Sequence, residues 1–144
     1  MASTASRAHR KPGTHRRAPA RTARLGGCPS WRTTSLCIRG CFEDSLPPFF
    51  EQNPRPIRLL HIDCDLYGST RTVLAEAAPW LVPGTVIVFD DLLGYPGYEQ
   101  HELRAFEEFA GARNLSRELV AAALMAREVA LRITAGPSHG LRAE

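Results

Sequence analysis

The chain has 144 residues, room for one domain of ordinary size, and 44% of them are hydrophobic, enough to build a core. No apolar run approaches the ~18 residues of a membrane-spanning helix, so no segment reads as one. The net charge of +3 conceals two unlike parts: residues 1–42 hold nine Arg/Lys and no acid, and the rest holds nine Arg against fifteen Asp/Glu.

Seventeen of the eighteen basic residues are Arg, which together with abundant Ala, Gly and Pro points to a GC-rich coding sequence. The four cysteines, Cys28, Cys37, Cys41 and Cys64, have neither redox-motif nor paired zinc-ligand spacing. With strongly apolar strands nearby they read as reduced thiols of a cytoplasmic protein.

Residues 1–36 show no apolar period and nothing to offset the entropy of ordering them, so they are expected to form a basic disordered or misassigned leader. A transit peptide, a nucleic-acid arm and a membrane tether are the alternatives. The segment lacks an amphipathic stripe, and its clustered arginines have no interleaved aromatics, which argues against the last two.

From Cys37 the texture changes. The run CIRGCFEDSLPPFFEQNP predicts a short strand near 36–39 and a short helix around 46–52, closed by Asn53-Pro54. IRLLHID (57–63) predicts a strand apolar on both faces, as in a parallel sheet covered by helices on both sides. Gly68 permits a turn, and Ser69 or Thr70 is the expected N-cap of a helix whose buried stripe is Val73, Leu74, Ala77, Ala78 and Leu81. Pro79 should fray its last turn and Pro83-Gly84 should stop it. TVIVFDD (85–91) is the second strand. Strand, helix and strand within 57–91 make one βαβ unit.

Gly94, Pro96 and Gly97 predict a loop, followed by a helix from about Tyr98 to Ala110 that buries Leu103, Phe106 and Phe109 and leaves Glu107 and Glu108 to solvent. SRELVAAAL and REVALRI read as an antiparallel hairpin at the sheet edge, and residues 135–144 as a frayed tail.

Chemistry concentrates at the strand ends. Parallel neighbours finish on the same sheet edge, where open α/β folds bind ligands. Asp63 and Asp65 end the first strand, Asp90 and Asp91 the second. Four carboxylates brought together repel unless protonated or neutralised, and a hard divalent cation, Mg²⁺ above all, suits an all-oxygen set. The bland alternative is that these acids cap the following turns and stay solvated. His61 lies in an apolar run and reads as a satisfied core histidine. His101 could approach the site through the preceding loop, and Tyr67 and Tyr95 flank the acids as pocket walls or as packing.

HIDCDLYGSTRTVL, LVPGTVIVFDD and YPGYEQHELRAFEEF resemble the C-terminal half of the macrocin/mycinamicin-type O-methyltransferases, over about Cys37 to Ile133. The resemblance implies an α/β fold, a truncated Rossmann-like methyltransferase domain over 37–134 with a mostly parallel sheet and a C-terminal antiparallel hairpin. It implies S-adenosylmethionine as methyl donor, Mg²⁺ held by Asp63, Asp90 and Asp91, and a small-molecule hydroxyl acceptor such as a sugar. Asp63 is taken as the base as well, on its position at the first strand end. The Gly-rich turn that holds the cofactor in such enzymes has no counterpart before Cys37, so no residue is assigned to the cofactor. The strand at 57–63 is then expected at an open sheet edge, which invites homo-oligomerisation. A non-catalytic binding or dimerisation module and another Mg²⁺-dependent α/β enzyme are the competing classes; the latter lacks a P-loop.

Overall fold

The computed structural model describes residues 36–123 and 125–136. The expected leader, apart from residue 36, and the tail from 137 onward lie outside them. Residues 36–39 are exposed and form no regular element, so the short strand anticipated there is absent. The first helix, α1, is longer than expected, Phe42–Gln52, and contains Pro47 and Pro48. Two residues without N–H groups deprive its middle of two hydrogen bonds. No residue of α1 is fully buried, and it rests against the next helix, where Thr72 donates to Glu43 at 3.2 Å.

Strand β1 (Ile57–Ile62), helix α2 (Tyr67–Ala77) and strand β2 (Leu81–Phe89) form the expected parallel βαβ unit. Its details differ from expectation in two ways. Helix α2 starts at Tyr67 with Leu66 as N-cap, so neither Ser69 nor Thr70 caps it; the Thr70 hydroxyl instead donates to the Leu66 carbonyl at 3.0 Å. Pro79 does fray the helix, into a 3₁₀ turn over Ala78–Trp80. Pro83-Gly84 lies inside β2 instead of ahead of it. The register jumps from Ile57↔Leu81 to Leu59↔Val86, with Gly84 at φ +94, so the pair forms a bulge. Buried Thr85 fastens it: its hydroxyl donates to the Ile57 carbonyl at 2.6 Å and accepts from Val82 N–H at 3.1 Å.

After a 3₁₀ turn at Tyr98–Gln100, helix α3 runs Glu102–Ala112 and strands β3 (Ser116–Ala123) and β4 (Glu128–Ala135) follow as an antiparallel hairpin. The sheet order is β1-β2-β4-β3, so the last strand inserts beside β2 and β3 takes the far edge. The sheet is mixed, with one parallel pairing and two antiparallel ones among the described strands.

Ile62, Ile87, Phe89, Val129 and Ile133 face Val73, Leu74, Phe106, Phe109 and Ala110 to form the core. Phe89 and Phe106 meet edge to face at 5.1 Å. The opposite sheet face has no such cover among the described residues. Leu59 on it is 62% exposed, and Val86, Val88 and Ala130 are only half-buried. The expectation of two covered faces is therefore met on one side, that of α2 and α3. Among the described strands β1 lies at a sheet edge, as expected.

Candidate functional site

The acids gather where β1 and β2 end together. Ile62 pairs with Phe89, and Asp90 N–H donates to the Ile62 carbonyl at 3.0 Å, so Asp63 and Asp90 leave the sheet side by side. Asp65 follows in a left-handed conformation, φ +58, which a short polar side chain tolerates. This turn sets its carboxyl beside that of Asp91. The Asp91 carboxyl first, then a small loss of hydration and the charges of Asp91, Asp63 and Asp90, raises the pKa of the exposed Asp65 above its usual range.

Among the described residues no three or more His, Cys, Asp or Glu side chains are grouped tightly enough for a preformed metal cage. The expected trio of Asp63, Asp90 and Asp91 is thus gathered at one edge without closing on a common point, and the pair brought into contact is Asp65 with Asp91. Asp91 also meets Arg127 Nη1 at 3.2 Å. His61 is not a core residue: its side chain is 54% exposed on the open sheet face, 3.9 Å from Asp90 Oδ1. Strand alternation accounts for this, since Leu60 and Ile62 take the covered side.

Beneath the acids lies a residue to which the sequence reading gave no role. Glu102, the first residue of α3, is 0% exposed. Its Oε1 accepts the Cys64 N–H at 3.1 Å, and the amides of Asp65 and Asp91 favour its charged form as well. Burial outweighs these bonds and raises its pKa. Its Oε2 is buried and accepts no hydrogen bond of ordinary geometry. One carboxylate thus underlies both acidic turns. The signal was present in the helical period: 102, 106 and 109 share a stripe with Phe106 and Phe109, so a polar residue there faces inward.

The donors at this edge are oxygens, the type a hard cation takes, with an orphaned buried carboxylate oxygen below them. On the flank, Tyr95 lies 6.1 Å from both the Tyr98 and the His101 rings, and Arg127 sits over Tyr95 at 5.3 Å. Burial and then Asp91 raise the Tyr95 pKa. Tyr67, the other expected wall, is turned to the helices: its hydroxyl donates to Glu108 at 2.6 Å and Arg104 covers its ring at 4.9 Å. It and Arg104 hold the Glu108 carboxyl below the usual range, so an acid expected only to face solvent also links the two helices.

Cys41 and Cys64 are free thiols. Burial, followed by the charge of Glu102, pushes Cys64 up to about 11. At pH 8 Cys64 should therefore resist iodoacetamide while exposed Cys41 is modified, a difference that peptide mass spectrometry reads directly.

Comparison with known proteins agrees with this architecture. A family model described as a methyltransferase domain matches residues 6–92, which takes in the βαβ unit and both acid pairs and begins within the basic segment. Among solved structures, CalS11, described as a TDP-rhamnose 3'-O-methyltransferase of calicheamicin biosynthesis, is 27% identical with a TM-score of 0.53, over 66% of this chain and 39% of its own. The O-methyltransferase NovP is 26% identical with a TM-score of 0.51, over 67% of this chain and 36% of its own. The chain thus spans somewhat over a third of the length of these solved relatives. No curated protein sequence matches significantly. The fold is similar to that of these methyltransferases, and with the family match covering more than half of its residues the chain belongs to the methyltransferase-domain family.

Proposed function

We propose that this chain serves S-adenosylmethionine-dependent O-methyl transfer to a hydroxyl of a sugar or other small natural product, contributing the acid-bearing side of the site. The observation that carries the reading is the convergence of Asp63, Asp65, Asp90 and Asp91 at adjacent parallel strand ends over buried Glu102. The acceptor class rests on the printed descriptions of the solved relatives, and the finer likeness to macrocin-type enzymes rests on the motif spacing. We assign the domain to 37–134, the location to the cytoplasm, and no role to nucleic acid. Among the described residues no helix is long and apolar enough to cross a membrane.

When bound, S-adenosylmethionine supplies an electrophilic methyl group on sulfur; no described residue is assigned to hold it. Asp63, Asp90 and Asp91 would hold Mg²⁺, which would lower the pKa of the acceptor hydroxyl and orient it. The residues of this chain do the rest. Asp63, exposed at the end of β1, takes the hydroxyl proton. Tyr95, Tyr98 and His101 give the acceptor a ring-lined wall, and Glu102 keeps the two acidic turns in register.

Calorimetric titration of the full chain with S-adenosylmethionine, with and without Mg²⁺, tests this. Cofactor binding strengthened by Mg²⁺ is expected. Binding of neither sinks the reading and favours the second one, a non-catalytic module that associates through the β1 edge. That alternative is supported by the apolar open sheet face beside the outer side of β1, which pairs with no described strand.

A further inference from the structure

Among the described residues Arg127 is the arginine paired with a strand-end acid, and its setting is unusual. It stands in the tight turn between β3 and β4 with φ +64, a conformation costly for a long side chain. The Leu92 N–H donates to its carbonyl at 3.3 Å, so the turn is tied by main chain to the segment directly after Asp91. The guanidinium touches Asp91 through one nitrogen at 3.2 Å and lies over the Tyr95 ring at 5.3 Å. The strained turn and the main-chain tie keep the Arg127 charge at the acids. The contact itself is single and half exposed, the kind that contributes little to stability. A bidentate, buried pair would be permanent; this one is readily displaced.

We propose that Arg127 is the resident counter-ion of the acidic strand ends, occupying Asp91 until a divalent cation takes the carboxylate and leaves the guanidinium on the Tyr95 face. The inference rests on the cation-assisted reading above. Its physical content is competition. The Asp91 carboxylate is met by the Arg127 guanidinium at 3.2 Å, and a metal ion taking the same oxygen has to displace it. Arg127 keeps the turns assembled without metal, at the expense of cation affinity. The Tyr95 ring gives the displaced guanidinium a favourable resting place, so displacement does not strand a charge.

The test is calorimetric titration of the full chain with Mg²⁺ and with Mn²⁺, without substrate, in wild type, Arg127→Asn and Arg127→Lys. Asn tolerates the left-handed turn, so the substitution removes the charge with little backbone cost. Arg127→Asn should bind either ion roughly threefold to tenfold more tightly, the scale of removing one partly solvated charge near the ligands. Arg127→Lys, which keeps the charge, should stay within about twofold of wild type, and raising the salt should shrink the Asn effect. Thermal melting of both variants checks that the hairpin is intact. Equal cation affinity in wild type and Arg127→Asn overturns the counter-ion role while leaving the cation site standing. No cation binding in any of the three overturns the cation-assisted reading itself, and this inference with it.

Discussion

Glu102→Ala should cost the protein about 2–3 kcal/mol of stability, read as a shift in the urea midpoint. The alanine leaves the Cys64 amide without its acceptor and opens a void beneath the two turns. Removing a buried carboxylate also relieves desolvation, so the comparison with Glu102→Gln matters. Gln retains an oxygen for Cys64 N–H but presents an NH₂ group near the Asp65 and Asp91 amides, and should lose about 1 kcal/mol. A loss under ~0.5 kcal/mol for Ala would mean that Glu102 does not brace the turns.

The same residue gives a pH signature. Burial raises the Glu102 pKa in the folded state. A carboxyl with a raised folded pKa contributes stability fully below its unfolded value, near ~4.3, and loses it as the pH climbs through the folded value. Wild type should therefore gain stability over Glu102→Gln as the pH is lowered from about 8 into the weakly acidic range. Asp65 shifts in the same direction and Glu108 in the opposite one, but both are exposed and solvent mutes them. A stability difference between the two proteins that is flat with pH would contradict the burial argument.

Asp63→Asn should lower turnover by at least ~100-fold in an assay with S-adenosylmethionine, Mg²⁺ and a sugar hydroxyl acceptor, with the fold unchanged. Asn has the shape of Asp and the side chain is exposed, so packing is not disturbed. The isostere neither accepts the hydroxyl proton nor carries the charge that a cation requires. Asp65→Asn is the informative companion, because Asp65 is the acid in contact with Asp91. Full activity in Asp63→Asn with loss in Asp65→Asn would transfer the base to Asp65. Retained activity in both would remove the strand-end acids from the chemistry altogether.

Much of the scaffold was readable in the chain because its signals are local. The β-branched run TVIVFDD, the apolar IRLLHID and the stripe through Val73, Leu74 and Ala77 each report their own element within a few residues. An Asp at the end of such a strand needs no distant partner to be noticed, so the acid pairs on neighbouring strand ends were legible as a candidate site. Local reading erred where one residue has two plausible uses. Ser69 and Thr70 suit an N-cap, but the helix had already begun at Tyr67, and the Thr70 hydroxyl turned back to Leu66. Pro83-Gly84 suits a helix stop, yet Thr85 fastens it into a strand bulge.

The acidic ends of the βαβ unit and their spacing were determined by the sequence alone. Only the tertiary structure decided how those ends are neutralised and braced. Asp91 meets Arg127 across 36 residues, and Cys64 meets Glu102 across 38. Both contacts depend on β4 inserting beside β2 and on α3 packing over the strand ends. Periodicity carries no record of such pairings, because it reports which face of an element is apolar and not which other element will cover it. For the same reason the sequence made both faces of β1 look buried, and only the packed sheet distinguished the covered side from the open one.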